Sequence, residues 1–215
     1  IVICLPKIIA FSHANPGRAI NGAQRKMKTK EESLSPTLWR TCRVLSNPNR
    51  LRCLKAVLKC PGRSVEDVAA AVGLTEVKAS LALRALQSRG LLSSRRRSRW
   101  LHYHPETDPA VVSADLFLDA AKRALVDNRM PEQDFSNAMQ AYTHPRRIAI
   151  VQAVAHADNF QPADLCEMLD ISPEALARHL RKLKALDVVQ VTKKGCALSS
   201  PRSDLAKALL RIILS

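Results

Sequence analysis

Four arginines occupy five positions of the segment SSRRRSRW: Arg95, Arg96, Arg97 and Arg99. Guanidinium groups this close repel one another unless an anion relieves the repulsion. The phosphate backbone of a nucleic acid does so through the release of its counterions, and arginine also enters a narrow minor groove. A turn that only faced solvent would more naturally mix Lys, Glu, Asn and Gly. The cluster therefore predicts contact with a polyanion.

The charge of the whole chain has the same sign, because 34 Lys and Arg stand against 19 Asp and Glu in 215 residues, a net charge of +15. This excess is uneven. Residues 34–104 hold fourteen basic against three acidic side chains, residues 139–200 hold eight against six, and residues 105–138 hold three against seven. A basic excess of this size favours a nucleic-acid partner. Its distribution predicts that the first part of the chain supplies most of the affinity.

The elements that must position the arginines occur twice, since residues 45–101 and 142–198 align without a gap at an offset of 97 residues. The identical pairs include Pro48 with Pro145, Ala56 with Ala153, Asp67 with Asp164, Leu83 with Leu180 and Leu86 with Leu183. Apolar positions match between these identities. The sequence therefore predicts a duplicated module.

Each copy predicts the same order of elements: a helix opened by proline, a short helix, a tight turn, a capped third helix and a hairpin. The marker positions are Pro48 and Pro145 at the first helix, Gly73 and Asp170 at the turn, and Thr75 and Ser172 at the cap. In the third helix the apolar spacing predicts two buried stripes: Ala79, Leu83 and Leu86, and Leu176, Leu180 and Leu183. This order is typical of a winged helix-turn-helix.

The predicted fold is mainly helical with small β-hairpin wings, arranged as tandem winged helix-turn-helix domains. The low aromatic content of 4% argues against an all-β sandwich. The predicted boundaries are an N-terminal extension at 1–33, a first module at 34–105, a connecting and possible dimerisation helix at 106–134, a second module at 135–200 and a C-terminal helix at 201–215. Residues 1–26 lack an initiator Met, and we interpret them as upstream or mis-annotated sequence before a start at Met27.

The segment LSNPNRLRCLKAVL…VEDVAAAVGLTEVKASLALRALQSRGLLSSRRRSRWLHYH resembles the ArsR family of bacterial and archaeal winged-helix repressors. The second copy, THPRRIAIVQAVA…ADLCEMLDISPEALARHLRKLKALDVV, is similar but more diverged. The resemblance covers most of residues 36–200. It implies a DNA-binding transcriptional regulator, typically a repressor, that lays the helix after the turn in the major groove and the wing on the backbone or in the minor groove.

The resemblance also implies which residues contact double-stranded DNA. On the first recognition helix they are Thr75, Val77, Lys78, Ser80, Leu81 and Arg84, and on the first wing Arg95, Arg96, Arg97 and Arg99. Lys78 and Arg84 would reach phosphate or guanine, and Leu81 would face a thymine methyl group. Weaker contacts are implied in the second copy for Arg178, Arg181, Lys193 and Lys194.

Metal sensing is disfavoured, because the helix before the first turn carries no thiol and the segment after the first wing carries no His. We therefore predict no metal site and no cofactor, and a single Cys166 leaves only redox sensing open. A less favoured alternative pairs Cys53 with Cys60 on one helix face around a soft metal. The cysteines otherwise fit a reduced, cytoplasmic interior.

Family members commonly dimerise through their first and last helices, and this chain offers two closing helices, at 109–128 and 204–214. Their predicted apolar stripes are Val112, Leu116, Ala120 and Ala124 in the first, and Leu205, Leu209, Ile212 and Ile213 in the second. The two modules could pair within one chain as a pseudo-dimer, or two chains could pair as a homodimer. The sequence leaves both open.

Two other functions compete with a regulator. An enzyme with a winged-helix appendage is disfavoured, because no GxGxxG, P-loop or HExxH motif is present and the six histidines show no partner arrangement. The alternative that stays open is a winged-helix scaffold in a nucleic-acid-associated complex, with little sequence-specific DNA binding. A membrane protein is excluded because no apolar run reaches the ~18 residues that a span requires.

Overall fold

The computed structural model describes residues 38–155, 160–192 and 194–215. The described residues belong to one compact unit. The extension predicted at 1–33, and the start proposed at Met27, lie outside the described residues. We call residues 38–104 the first segment and residues 132–198 the second segment.

The first segment contains four helices and three strands in its described residues. They are α1 (Leu38–Leu45), α2 (Pro48–Lys59), β1 (Arg63–Ser64), α3 (Val65–Val72), α4 (Glu76–Gln87), β2 (Ser93–Arg97) and β3 (Trp100–His104). The strands form an antiparallel sheet in the order β1-β3-β2. As predicted, Pro48 opens α2, where its missing N–H leaves no bond unmade, and the Asn47 side chain caps the helix by accepting from Arg50 N at 3.1 Å.

After residue 104, the described part of the chain contains six α-helices, one π-helical turn and two strands. They are α5 (Ala114–Lys122), a π-helical turn (Arg123–Asp127), α6 (Glu132–Gln140), α7 (Pro145–Ala155), α8 (Pro162–Leu169), α9 (Pro173–Ala185), β4 (Val189–Thr192), β5 (Gly195–Leu198) and α10 (Asp204–Leu214). Helices α7, α8 and α9 begin 97 residues after α2, α3 and α4, respectively. The predicted module boundary at 134/135 falls inside α6.

The turn before each third helix has the predicted geometry. Gly73 (φ 66°) and Asp170 (φ 48°) both adopt the left-handed conformation that ends the short helix. The hydroxyl of Thr75 accepts from Lys78 N at 3.4 Å, and that of Ser172 accepts from Ala175 N at 3.3 Å. The predicted caps are therefore confirmed, and α4 and α9 each start at a fixed point beside the short helix.

Both predicted stripes of the third helices are buried, which fixes the faces that α4 and α9 turn outward. Leu83, Leu86 and Leu183 are fully buried, and Leu180 is 6% exposed. These side chains belong to one apolar core that extends through both segments. The mainly helical fold class with two small antiparallel sheets, consistent with winged helices, is confirmed.

The two segments pack on each other through their outer helices. Helix α1 lies against α6, and α5 lies against α10. Lys55 Nζ on α2 lies 2.7 Å from Glu132 Oε1 on α6 and so joins the two segments. Gln152 Nε2 on α7 donates to the carbonyl oxygen of Ile213 at 2.8 Å and joins the second segment to α10. The first helices of the two segments, α1 and α6, thus meet within a single chain, and so do α5 and α10, the helices that follow the segments.

The predicted stripe of the first closing helix is wrong in its first half. Val112 is 72% exposed and Leu116 is 44% exposed, whereas Ala120 and Ala124 are buried. The helix begins at Ala114 rather than near residue 109, because Ser113 has a φ of 61° and interrupts the helical backbone. Its buried face is instead set by Ala114, Phe117, Ala120 and Ala121. The stripe of α10 is confirmed, since Leu205, Leu209, Ile212 and Ile213 are all buried.

Within the described ranges, no helix is both long enough and apolar enough to cross a membrane.

Candidate nucleic-acid interface

Helix α4 presents a mixed apolar and basic face to solvent. Val77 is 70% exposed and Leu81 is 62% exposed, although both are large apolar side chains. Lys78 and Arg84 are exposed beside them, and Ser80 is half-buried. Apolar side chains of this size are usually buried, and such exposed ones suit contact with thymine methyl groups in a major groove.

The wing is a tight hairpin that holds the arginine cluster outside the core. Strand β2 pairs with β3 so that Arg97 lies opposite Trp100, which leaves a two-residue turn of Ser98 and Arg99. Ser98 takes a φ of 56° to make this turn. All four arginines predicted for DNA contact, Arg95, Arg96, Arg97 and Arg99, are exposed. Their guanidinium groups are therefore accessible to phosphate.

The four wing arginines differ in their partners. Arg95 Nη2 lies 2.7 Å from Glu106 Oε1, and the Arg99 guanidinium lies 4.9 Å from the centre of the Trp100 ring. Among the described residues, no carboxylate pairs with Arg96 or Arg97. Arg96 and Arg97 therefore carry the charge that is most available to an anion.

Glu106 is a part of the wing that sequence reasoning did not identify. Its carboxylate accepts from Ser93 Oγ at 2.7 Å, and this hydrogen bond, with the nearby charges of Arg95 and His104, holds its pKa below the usual value. A charged Glu106 fixes Arg95 at the base of the wing. No motif in the sequence marks Glu106; the strand register, which places Ser93 opposite His104, brings it alongside.

The corresponding face of the second segment is less basic. Arg178 and Arg181 are exposed on α9, and Lys194 is exposed in the turn between β4 and β5. Lys193, the remaining predicted contact, lies outside the described residues. At the positions of Val77 and Lys78, α9 carries Glu174 and Ala175. The two third helices therefore offer different chemistry to a groove.

In each segment, an arginine side chain donates a hydrogen bond to the turn that precedes the third helix. Arg52 Nη1 donates to the carbonyl oxygen of Val72 at 3.3 Å, and Arg146 Nη1 donates to that of Leu169. These carbonyls precede the left-handed residues Gly73 and Asp170, at the end of a helix where carbonyl groups lack a partner. Both turns are thus tied to the preceding long helix by a cation.

The histidines do show one partner arrangement, contrary to the sequence analysis. The rings of His144 and His179 lie 4.7 Å apart between their centres, joining the start of α7 to α9. Burial lowers the pKa of both imidazoles, and the nearby Arg146, Arg147 and Arg178 lower it further. The signal was weak, because the two residues are 35 positions apart.

The cysteines do not assemble a metal site among the described residues, where no group of three or more His, Cys, Asp or Glu side chains surrounds a common point. The alternative that placed Cys53 and Cys60 on one face is wrong. Cys53 is fully buried and burial raises its pKa to about 11, whereas Cys60 is exposed just beyond the end of α2. Cys166 is half-buried on α8.

Comparison with known families matches residues 144–191 to the model described as "Bacterial regulatory protein, arsR family". No curated protein matches the chain. The match runs from α7 into β4 and lies in the second segment, the more diverged copy. It supports a DNA-binding transcription regulator in general, because residues 144–191 are similar to the helix-turn-helix domain of that family.

Proposed function

We propose that this protein is a DNA-binding transcription regulator of the repressor type. Helix α4 lies in the major groove, and the β2–β3 wing follows the phosphate backbone or the minor groove. The observation that carries this proposal is the exposed, unneutralised pair Arg96 and Arg97 next to a helix whose outward face combines Lys78, Leu81 and Arg84. Phosphate contacts would position the protein, and the helix would read the bases.

We further infer that a single chain carries two DNA-binding units. The match at residues 144–191 and the recurrence of helix starts at the same offset support a tandem of two winged-helix units. The contacts of α1 with α6 and of α5 with α10 support pairing of these units inside the chain, as a pseudo-dimer. A monomer would then do what two-fold symmetric regulators do as dimers.

A pseudo-dimer with unlike recognition helices reads an asymmetric operator. Helix α4 offers Lys78, Leu81 and Arg84, whereas α9 offers Glu174, Arg178 and Arg181. The two half-sites would lie about 34 Å apart, one turn of the double helix, but would differ in sequence. The excess of basic residues in the first segment favours a larger contribution to the affinity from the half-site under that segment.

The test is selection of bound fragments from random duplex DNA with the full chain, followed by measurement of stoichiometry and salt dependence on the best sequence. We expect an asymmetric site, bound by one chain per duplex, with a large gap between specific and nonspecific affinity. A palindromic site bound by two chains would contradict the pseudo-dimer. Absence of any sequence preference would support a scaffold instead.

A further inference from the structure

A groove of about 700 Å³ lies between α8, α9 and β4. Its apolar floor is formed by Leu176 and Leu180, with the half-buried side chains of Cys166 and Val191 beside them. Arg181 and Lys184 also line the groove and are exposed. A volume of this size is within the range of small-molecule sites, ~300–1,000 Å³, in which an apolar lining is combined with a few polar groups.

The first segment does not offer the same groove chemistry at the equivalent positions, 97 residues earlier. There Glu66 and Glu76 replace Ala163 and Pro173 of the second segment. Gln87 Nε2 donates to Ser94 Oγ at 2.9 Å, so a polar bridge joins helix to strand at the positions of Lys184 and Val191. The first segment therefore serves as an internal comparison for the groove. It has the same arrangement of helices and strand, but carries acidic side chains and a polar bridge at the groove positions.

We propose that the groove of the second segment binds an apolar carboxylate, such as a medium-chain fatty-acid anion. The alkyl chain lies on Leu176, Leu180 and Val191, and the carboxylate pairs with Arg181 and Lys184. Arginine matches a carboxylate with two parallel hydrogen bonds. Among the described residues, no acid forms an ion pair with Arg181 or Lys184, so both charges are available to the ligand.

Ligand binding at this groove would act on DNA through Arg181, which lies on the exposed face of α9 as well as in the groove. A carboxylate neutralises this arginine and lowers the affinity for DNA. This coupling rests on the proposed function, whereas the binding site does not.

The first test is calorimetric titration of the full chain with decanoate, with decan-1-ol as the uncharged comparison. Arg181→Glu combined with Lys184→Glu should weaken decanoate binding at least about tenfold, since each charged hydrogen bond contributes more than a neutral one. The matched pair Lys122→Glu and Arg129→Glu, two exposed cations that do not line the groove, changes the net charge by the same amount and should leave the affinity unchanged. Equal affinity for decan-1-ol, no saturable binding, or equal effects of the two pairs would overturn the proposal.

The second test uses the thiol of Cys166, which lines the groove beside its floor. Saturating decanoate should slow alkylation of Cys166 by N-ethylmaleimide, followed by peptide mass spectrometry, while exposed Cys60 reacts at its usual rate. Ala177→Phe, at an exposed position that lines the groove, should abolish this protection without disturbing the core. Unchanged Cys166 reactivity would overturn the site. Neither test contains DNA. A chain that binds decanoate but no duplex would therefore refute the proposed function and still support the groove as a binding site.

Discussion

Ser136 Oγ donates a hydrogen bond of 2.7 Å to the backbone carbonyl of Ser46, ninety residues earlier in the chain. Ser136 is 1% exposed and lies in α6, whereas Ser46 directly follows α1. The bond therefore crosses the contact between the two segments. Apolar packing tolerates small shifts of one helix along another, but a buried hydrogen bond requires one register. This pair specifies how α1 and α6 meet.

Ser136→Ala should lower the free energy of unfolding by about 0.5–1.5 kcal/mol, because the half-buried Ser46 carbonyl loses its donor. Urea denaturation would measure the change. Ser88→Ala is the matched control, since Ser88 Oγ donates to the carbonyl of Ala85 at 2.9 Å in an exposed position. The control should change stability by less than about 0.5 kcal/mol. Equal losses in the two variants would show that the bond between segments has no special role.

Arg96→Gln combined with Arg97→Gln should flatten the salt dependence of DNA binding. Each lost phosphate contact reduces the slope of log K against log salt by ~0.9, so the pair should reduce it by nearly 2. Fluorescence anisotropy between low and physiological salt would measure the slopes. Lys193→Gln combined with Lys194→Gln in the second segment should have a much smaller effect. Equal slopes in the two double variants would refute the predicted asymmetry of affinity.

The features predicted well from sequence are those fixed by local backbone chemistry. Proline at the first helical position, a residue that tolerates positive φ at the turn, and a hydroxyl cap each act within a few residues. Gly73 and Thr75 therefore define the turn and the start of α4 without knowledge of the rest of the chain. The buried stripe then determines which side chains face outward, so the candidate contacts Lys78 and Arg84 could be placed on the surface.

The features missed depend on contacts between distant parts of the chain. The periodicity after the first wing fits more than one helical face, and the start of α5 depends on the positive φ of Ser113. Asp108 contributes to this late start, because it accepts from Ala110 N at 2.9 Å and holds the preceding turn. The position of Glu106 at the wing and the contact of the His144 ring with the His179 ring likewise depend on pairing that no short motif encodes.

Gly90→Ala should destabilise the protein more than Gly73→Ala, although both glycines have nearly the same positive φ, 65° and 66°. A Cβ at position 90 would lie 2.8 Å from Val111 Cβ, whereas a Cβ at position 73 would meet nothing within 4 Å. The left-handed backbone costs either alanine roughly 1–2 kcal/mol. Overpacking against Val111 should add about 1–3 kcal/mol at position 90 only.

Thermal and urea unfolding of the two glycine variants would separate backbone strain from crowding. The difference between them isolates the contact of Gly90 with the segment that leads into α5, since the strain is common to both. Gly90→Ala should cost less in a Val111→Gly background than in the wild type, because both close atoms of Val111, Cβ and Cγ2, are then absent. Equal destabilisation by Gly90→Ala and Gly73→Ala would show that the close approach at Val111 has no energetic role.

Lowering the pH from 7 to 5 should destabilise the fold through His144 and His179. Burial and neighbouring arginines hold both pKa values below the ordinary 6.5. His144 Nδ1 also accepts from Arg146 N at 3.1 Å, and protonation there would break this bond. Between the folded and unfolded pKa values the unfolded chain binds more protons, so stability falls as the pH drops through this window and is fully present only above the unfolded value.

The variant His179→Gln tests this linkage, because glutamine keeps a polar side chain on α9 but does not titrate. The difference in the free energy of unfolding between pH 7 and pH 5, measured in urea, should be smaller in the variant than in the wild type. His144→Gln should also reduce this difference. In the double variant the reduction should be smaller than the sum of the two single reductions, since each imidazolium also repels the other. A pH dependence unchanged in all three variants would place the acid sensitivity elsewhere in the chain.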